Sequence, residues 1–315
     1  MNKVKKFKTH KLIPELNKVL SEKENEFYTS EQDIPPVFIA GAPRSGTTLL
    51  YQILVSAFDI GYIDNIVAKF WEAPLFGLVL TNEVFPFGER ILTSYESEYG
   101  FTKETIGPHE FGYFWKRWFE YSQTHEISKE ELTKIDSENL RKVIYSMNSA
   151  LNKPVAFKNA VAVTLQIKYL TEVFSNAVVL TIEREPLYNA QSILEARLGS
   201  NRPEEWFSAK PKEYVFLKEK NIYEQVIGQV YYCNERISEA KNEILHSENP
   251  SRLIEIKYED LCEDPNKIVN TIDNYIKKFN VKRKDVTFEK FNTTNTVRLE
   301  KEIFEKLEKE YGKYY

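Results

Sequence analysis

Eight consecutive residues, Gly41-Ala-Pro-Arg-Ser-Gly-Thr-Thr48, put two glycines, a cation and three hydroxyls into one short stretch. That mixture suits an anion. Glycine lets backbone N–H groups turn inward, arginine supplies a permanent charge, and hydroxyls donate further hydrogen bonds. The stretch follows the apolar run Val37 to Ala40 and precedes Thr47 to Phe58. It therefore reads as a strand, a tight phosphate-binding turn and a helix whose positive end faces the same point. A second cation, Arg184, closes the apolar run Val178 to Glu183, and its planar fork fits a phosphate at the end of a buried strand. Proton transfer would need a titratable side chain nearby. Gly107-Pro-His-Glu-Phe-Gly112 offers His109 and Glu110 between turn-forming residues. An imidazole titrates near about 6.5 and accepts a proton at neutral pH without tuning, whereas a carboxylate needs positioning or desolvation to do so.

Spacing narrows the choice of anion. A nucleoside-triphosphate loop reads G-x-x-x-x-G-K-[ST]. Gly41 and Gly46 keep that spacing, but Thr47 stands at the lysine position and the cation comes earlier, as Arg44. Pro43-Arg-Ser-Gly-Thr-Thr48 matches P-[KR]-S-G-T-T, and here the chain resembles the sulfotransferases that use 3′-phosphoadenosine 5′-phosphosulfate (PAPS). The resemblance implies that Arg44, Ser45, Gly46, Thr47 and Thr48 hold the 5′-phosphosulfate. In that family a strand ends in R-[DN]-P and a serine follows eight residues after the arginine, both on the 3′-phosphate. Arg184-Glu-Pro186 and Ser192 keep this register, with Glu185 in place of Asp or Asn. A third stretch, Ile256-Lys-Tyr-Glu-Asp-Leu-Cys-Glu-Asp-Pro265, is similar to the family's late Y-E-D-L-x-x-D-P element. It is expected to be structural, with Glu259 and Asp260 capping and tying loops.

The activity that the resemblance implies is in-line transfer of a sulfuryl group from PAPS to an acceptor hydroxyl or amine. Arg44, Thr47 and Thr48 are expected to stabilise charge on the bridging oxygen. So is Lys158, which ends the run Val155 to Lys158, where a lysine recurs in the family. The phenol and steroid branch carries K-x-H at that strand, with the histidine as base. This chain reads Lys158-Asn-Ala160, so that histidine is absent and the bacterial-type branch is the nearer resemblance. Other branches use a glutamate some tens of residues after the loop, and Glu72 in Trp71-Glu-Ala-Pro74 falls in that window. The expected order for the base is Glu72, then His109, then Glu110. The runner-up function, a nucleotide-dependent phosphotransferase or NTPase, needs a loop lysine and usually a strand-ending carboxylate for Mg²⁺. Thr47 removes the first, and Val178 to Ile182 ends in Glu183-Arg184 with no clear Asp, so no metal is expected. A noncatalytic anion-binding protein is the third reading.

The elements that must carry these residues follow from the pattern. Strand-like runs at Val37 to Ala40, Val155 to Lys158, Val178 to Glu183 and Leu253 to Lys257 alternate with helical patterns such as Val161 to Phe174 and Ile222 to Leu245. They predict an α/β protein with a P-loop-type three-layer fold, a central parallel sheet flanked by helices. Residues 1–33 read as an N-terminal helical extension and 34–315 as a single domain, with an insertion at about 60–153 that carries acceptor recognition. Trp71, Phe76, Phe85, Phe87, Phe101, Phe111, Tyr113, Phe114, Trp115, Trp118 and Phe119 concentrate in that insertion. Most are expected to be core, and one or two exposed rings would suffice to stack on a small-molecule or carbohydrate acceptor.

Composition bounds the rest. With 315 residues, 42% of them hydrophobic, the chain can bury a large core. A net charge of −4 argues against a nucleic-acid reader built on a broad basic surface. Two cysteines are too few for a disulfide framework, and no apolar run long enough to span a bilayer occurs; a cytoplasmic location is the expectation. Lys3, Lys5, Lys6, Lys8 and Lys11 precede the apolar spacing of Leu12, Ile13, Leu16, Val19 and Leu20. This reads as an amphipathic helix docking its apolar face on the domain, with a weak membrane-surface contact as the alternative.

Overall fold

The four expected strands form at the expected bounds. Val37–Ala40 (β1), Val155–Lys158 (β3), Val178–Glu183 (β4) and Leu253–Lys257 (β5) are joined by a fifth, the two-residue Gly61–Tyr62 (β2). The computed structural model describes residues 9–29, 31, 33–97 and 102–315. All four pairings are parallel, in the order β2-β3-β1-β4-β5. β1 lies at the centre with every residue buried, as a strand covered on both faces by helices requires.

The direction of the crossovers decides which helix covers which face. From β1 the chain moves one way along the sheet to β2; from β3 it moves the other way, past β1, to β4. Right-handed crossovers in opposite directions place their helices on opposite faces. Accordingly Thr47–Ala57 packs with Pro265–Ile276, while Ile167–Val173 and Pro186–Leu198 pack with Ile222–Leu245. A reversal of this kind opens a crevice at the carboxyl ends of the central strands. The loop after β1 and Arg184 after β4 both reach it.

The helical pattern Val161 to Phe174 is only partly realised. Residues 160–166 are turns, and the helix starts at Ile167. Asn159 is the cause. Its side-chain oxygen accepts the N–H groups of Val161 and Ala162 at 2.8 and 2.7 Å, and its carbonyl accepts those of Val163 and Thr164, each at 3.0 Å. A local side-chain bond thus displaces the first helical turn.

The N-terminal helix, Thr9–Glu24, docks with a different face from the one expected. The anchors are polar. Asn17 donates to the Lys69 carbonyl at 2.7 Å and accepts the Glu72 N–H at 2.9 Å. Glu24 is buried and accepts the Phe76 N–H at 2.8 Å, near the start of helix Pro74–Val84, where the first N–H groups lack helical partners. Burial nevertheless holds the Glu24 pKa above its usual range. Ile13 and Leu20 are partly covered, but Leu12, Leu16 and Val19 face solvent. Lys3, Lys5, Lys6 and Lys8 lie outside the described residues, as does Phe101.

Half of the described rings singled out from the aromatic segment are core, fewer than expected. Phe87, Phe111, Phe114, Trp115 and Phe119 are buried, with Phe111 and Phe114 stacked at 4.6 Å and Phe114 and Phe157 at 6.2 Å. Burying a side chain of this size contributes roughly 1.5–3 kcal/mol. Tyr113 stays exposed and packs on Trp71 at 5.4 Å.

Candidate active site

The loop is built from special backbone and outside braces. Arg44 and Gly46 both have positive φ, 69° and 102°. A Cβ on Gly46 would meet the Tyr258 ring at 2.5 Å, and one on Gly41 would lie 2.8 Å from the Ile182 carbonyl, so both positions require glycine. The loop's own carbonyls are held from outside. Asn189 of helix Pro186–Leu198 donates to the Pro43 carbonyl at 2.6 Å, and Arg184 to the Arg44 carbonyl at 3.1 Å. Thr164, brought close by the Asn159 turn, exchanges hydrogen bonds with Gly41 at 3.2 and 3.0 Å. Gly46 offers no side-chain cap to helix Thr47–Ala57, so the helix's first N–H groups are left for a ligand. Among the described residues the buried Ser45 hydroxyl also has no hydrogen-bond partner.

A cavity of about 600 Å³ opens at this point. It is lined by Arg44, Gly46, Thr47, Thr48, Lys158, Arg184 and Ser192, so that loop, β3 end and β4 end meet in one space. Arg44 donates to the Ser192 hydroxyl at 3.2 Å. Arg184 is buried. It donates to Asn295 at 2.7 Å and to the Thr294 carbonyl at 2.9 Å, with its guanidinium 4.8 Å from the centre of the Tyr258 ring. Burial pulls its pKa below the usual arginine value, and the nearby cations Arg298 and Arg44 act in the same direction. A second anion there would relieve that field.

On the other side of the loop, Lys158 is buried and its ammonium bridges two groups. It donates to the Thr48 hydroxyl at 2.9 Å and to a Glu110 carboxylate oxygen at 2.5 Å. Glu110 reaches this point through the sheet edge. Beyond β2 the chain continues as Ile63-Asp64, against which Pro108 and His109 pair antiparallel, with the His109 N–H on the Ile63 carbonyl at 2.8 Å. Asn159 then donates to the Glu110 carbonyl at 3.0 Å. Asp64 is itself anchored: one oxygen accepts the Ile66 and Val67 N–H groups and the other accepts from Arg90 at 2.8 Å.

The three candidate bases therefore occupy different places. Glu110 lines the cavity; among the described residues the lining includes neither Glu72 nor His109. Glu72 is half-buried beside the N-terminal helix, where Asn17 holds its N–H. His109 is turned back on its own chain, its Nδ1 accepting the Phe111 N–H at 2.9 Å. Burial lowers its pKa, which keeps the ring neutral. Ala160 lines the cavity two residues after Lys158.

Some contributors had no signal in the sequence. Phe291, Asn292 and Thr294 line the cavity from a strap near the C-terminal end, and Asn295 ties Arg184 to Glu259 at 2.7 and 2.5 Å. Glu259, expected to tie loops, also accepts the Glu185 N–H at 3.0 Å. Among the described residues the rings that line the cavity are Tyr95, Phe207, Tyr258 and Phe291, none of them in the set singled out from the insertion.

Residues 35–277 match the model of the Sulfotransferase family, and the chain belongs to that family. Its fold is similar to that of sulfotransferase STF9 from Mycobacterium avium, at 15% identity over 82% of this chain and 67% of that one, with a TM-score of 0.47. A sulfotransferase from Alicyclobacillus acidocaldarius aligns at 16% identity over 89% and 92% of the two chains, with a TM-score of 0.45. The sulfotransferase domain of the curacin biosynthetic pathway aligns at 19% identity, over 82% and 76%, with a TM-score of 0.41. No curated protein matches the chain.

Proposed function

We propose that the protein transfers the sulfuryl group of PAPS to a hydroxyl of a small-molecule or carbohydrate acceptor, with Glu110 as the base. The contact that carries this reading is the Lys158 ammonium held between Thr48 of the loop and Glu110. It puts a cation and a proton acceptor side by side at the mouth of an anion site. The residues suit the donor at both ends. Ser45, Gly46, Thr47 and Thr48 with Arg44 would hold the 5′-phosphosulfate, and the Ser45 hydroxyl, without a hydrogen-bond partner among the described residues, has a bond to give. Arg184 and Ser192 would hold the 3′-phosphate.

In this reading the acceptor hydroxyl lies against Glu110, which takes its proton as the oxygen attacks sulfur in line. The bond between sulfur and the bridging oxygen breaks, and adenosine 3′,5′-bisphosphate leaves with the electron pair. Lys158 and Arg44 offset the charge that develops on that oxygen, a stabilisation larger in a buried site than in water. Glu72 and His109, which rank first and second on sequence, become the alternatives. Cys233 and Cys262 are buried and form no disulfide, which suits a reducing cytoplasm.

Transfer of label from radiolabelled PAPS to a panel of a phenol, a monosaccharide and a primary alcohol tests the reading, with a chelator present throughout. Label should reach an acceptor undiminished by the chelator, because Thr47 replaces the loop lysine and Glu183, at the end of β4, is paired with Lys241 at 2.8 Å and does not line the cavity. Turnover that instead consumes ATP and stops without Mg²⁺ would establish the phosphotransferase alternative.

A further inference from the structure

Lys158 and Asn159 are consecutive residues at the end of β3, and both hold Glu110. The Lys158 ammonium takes the carboxylate, while the Asn159 side-chain amide donates to the main-chain carbonyl at 3.0 Å. One contact fixes where the Glu110 side chain ends, the other where it begins. Both matter, because Glu110 lies in an irregular stretch before helix Gly112–Trp115 and its side chain is 29% exposed. A carboxylate on a loose main chain spreads over many positions, and a displacement of about 1 Å can cost a hundredfold in rate.

Asn159 is itself held. It is buried, and its side-chain oxygen accepts the Val161 and Ala162 N–H groups at 2.8 and 2.7 Å. With the oxygen so engaged, the amide turns its two N–H donors toward Glu110. The carbonyl of Asn159 accepts the Thr164 N–H at 3.0 Å, and the Thr164 hydroxyl donates to the Gly41 carbonyl at 3.0 Å. Asn159 therefore stands between the first glycine of the anion loop and the proposed base. Those are the two parts that in-line transfer has to align.

We propose that Asn159 is a positioning residue for the transfer: by holding the Glu110 main chain it aims the carboxylate beside Lys158 and Thr48, in fixed register with the loop. This role rests on the reading of Glu110 as the base. It requires a side chain that accepts at one end and donates at the other, which among the residues of this size is a carboxamide.

Two substitutions separate this role from the shaping of the turn at residues 160–166. Asn159→Asp keeps an oxygen for the Val161 and Ala162 N–H groups and loses the donor; Asn159→Ser keeps a neutral acceptor on a shorter side chain. Each should lower the single-turnover rate of label transfer from PAPS to the panel's acceptor on the order of a hundredfold. The thermal shift given by adenosine 3′,5′-bisphosphate should match that of the wild type, so that the rate falls with nucleotide binding kept. In a Glu110→Gln background the same substitutions should add less than about twofold, because the group they aim is already gone. Losses that multiply in the double variants overturn the role, as does a rate retained by Asn159→Ser. So does loss of the bisphosphate shift together with the rate, which assigns Asn159 to the loop alone. A wild-type rate in Glu110→Gln by itself instead removes the base, and label on no acceptor removes the activity; either result is distinct from the others and takes the role with it.

Discussion

Replacing Glu110 by Gln should lower kcat by about 10²–10⁴ and leave the affinity for adenosine 3′,5′-bisphosphate nearly unchanged. The amide keeps the shape and can still face Lys158, but it takes no proton. Glu72→Gln should retain near-full kcat, because Glu72 lies beside the N-terminal helix, outside the residues that line the cavity. His109→Gln should act through local structure, since the ring's Nδ1 serves the Phe111 N–H. Single-turnover rates for the three variants separate the assignments. Loss of kcat in Glu72→Gln with Glu110→Gln near wild type would return the role to the residue favoured by position in the sequence.

The second large effect is on stability. Asp64→Ala should destabilise the fold by about 3–5 kcal/mol, measured as a shift in the denaturant midpoint. The Asp64 and Arg90 side chains are 0% and 2% exposed and pair at 2.8 Å, so removing the carboxylate strands a buried guanidinium. It also orphans the Ile66 and Val67 N–H groups. Arg90 is partly compensated by the Phe87 ring, 3.6 Å below its guanidinium, and by the Phe85 carbonyl at 2.8 Å. Because Asp64 belongs to the edge that carries Pro108 and His109, the same variant should lose more activity than its folded fraction explains. A change below about 1 kcal/mol would mean that Arg90 finds another partner and that the edge does not depend on this pair.

What could be read from the chain was whatever local chemistry dictates. Val37–Ala40 and Val178–Glu183 are continuous apolar runs ended by a glycine loop and by Arg-Glu-Pro, and their bounds are legible for that reason. The loop carries its function in its own residues. Gly61–Tyr62 is two residues long with no run to mark it, yet it supplies the edge that delivers Glu110. The position of Glu110 is therefore set by a pairing between residues more than forty positions apart, which no spacing rule reveals. The N-terminal helix shows the converse: its five apolar residues suggested one buried face, but Asn17 found backbone partners at Lys69 and Glu72, and Glu24 one at Phe76 in the first turn of the next helix. The strap that engages Arg184 is also invisible in sequence, because Thr294 contributes a backbone carbonyl.

The central claim is that this cavity holds a nucleotide with phosphates at both its 3′ and 5′ positions. Thermal unfolding with adenosine 3′,5′-bisphosphate, compared with ATP at the same concentration, tests it most directly. At about a hundredfold excess over its Kd the bisphosphate should stabilise the protein by about 2.7 kcal/mol. ATP should give much less, and Arg44→Ala should diminish the shift. Arg44 is the better variant here because Arg184 also braces the loop and the strap. Equal shifts from the two nucleotides, or no shift from the bisphosphate, would contradict the account.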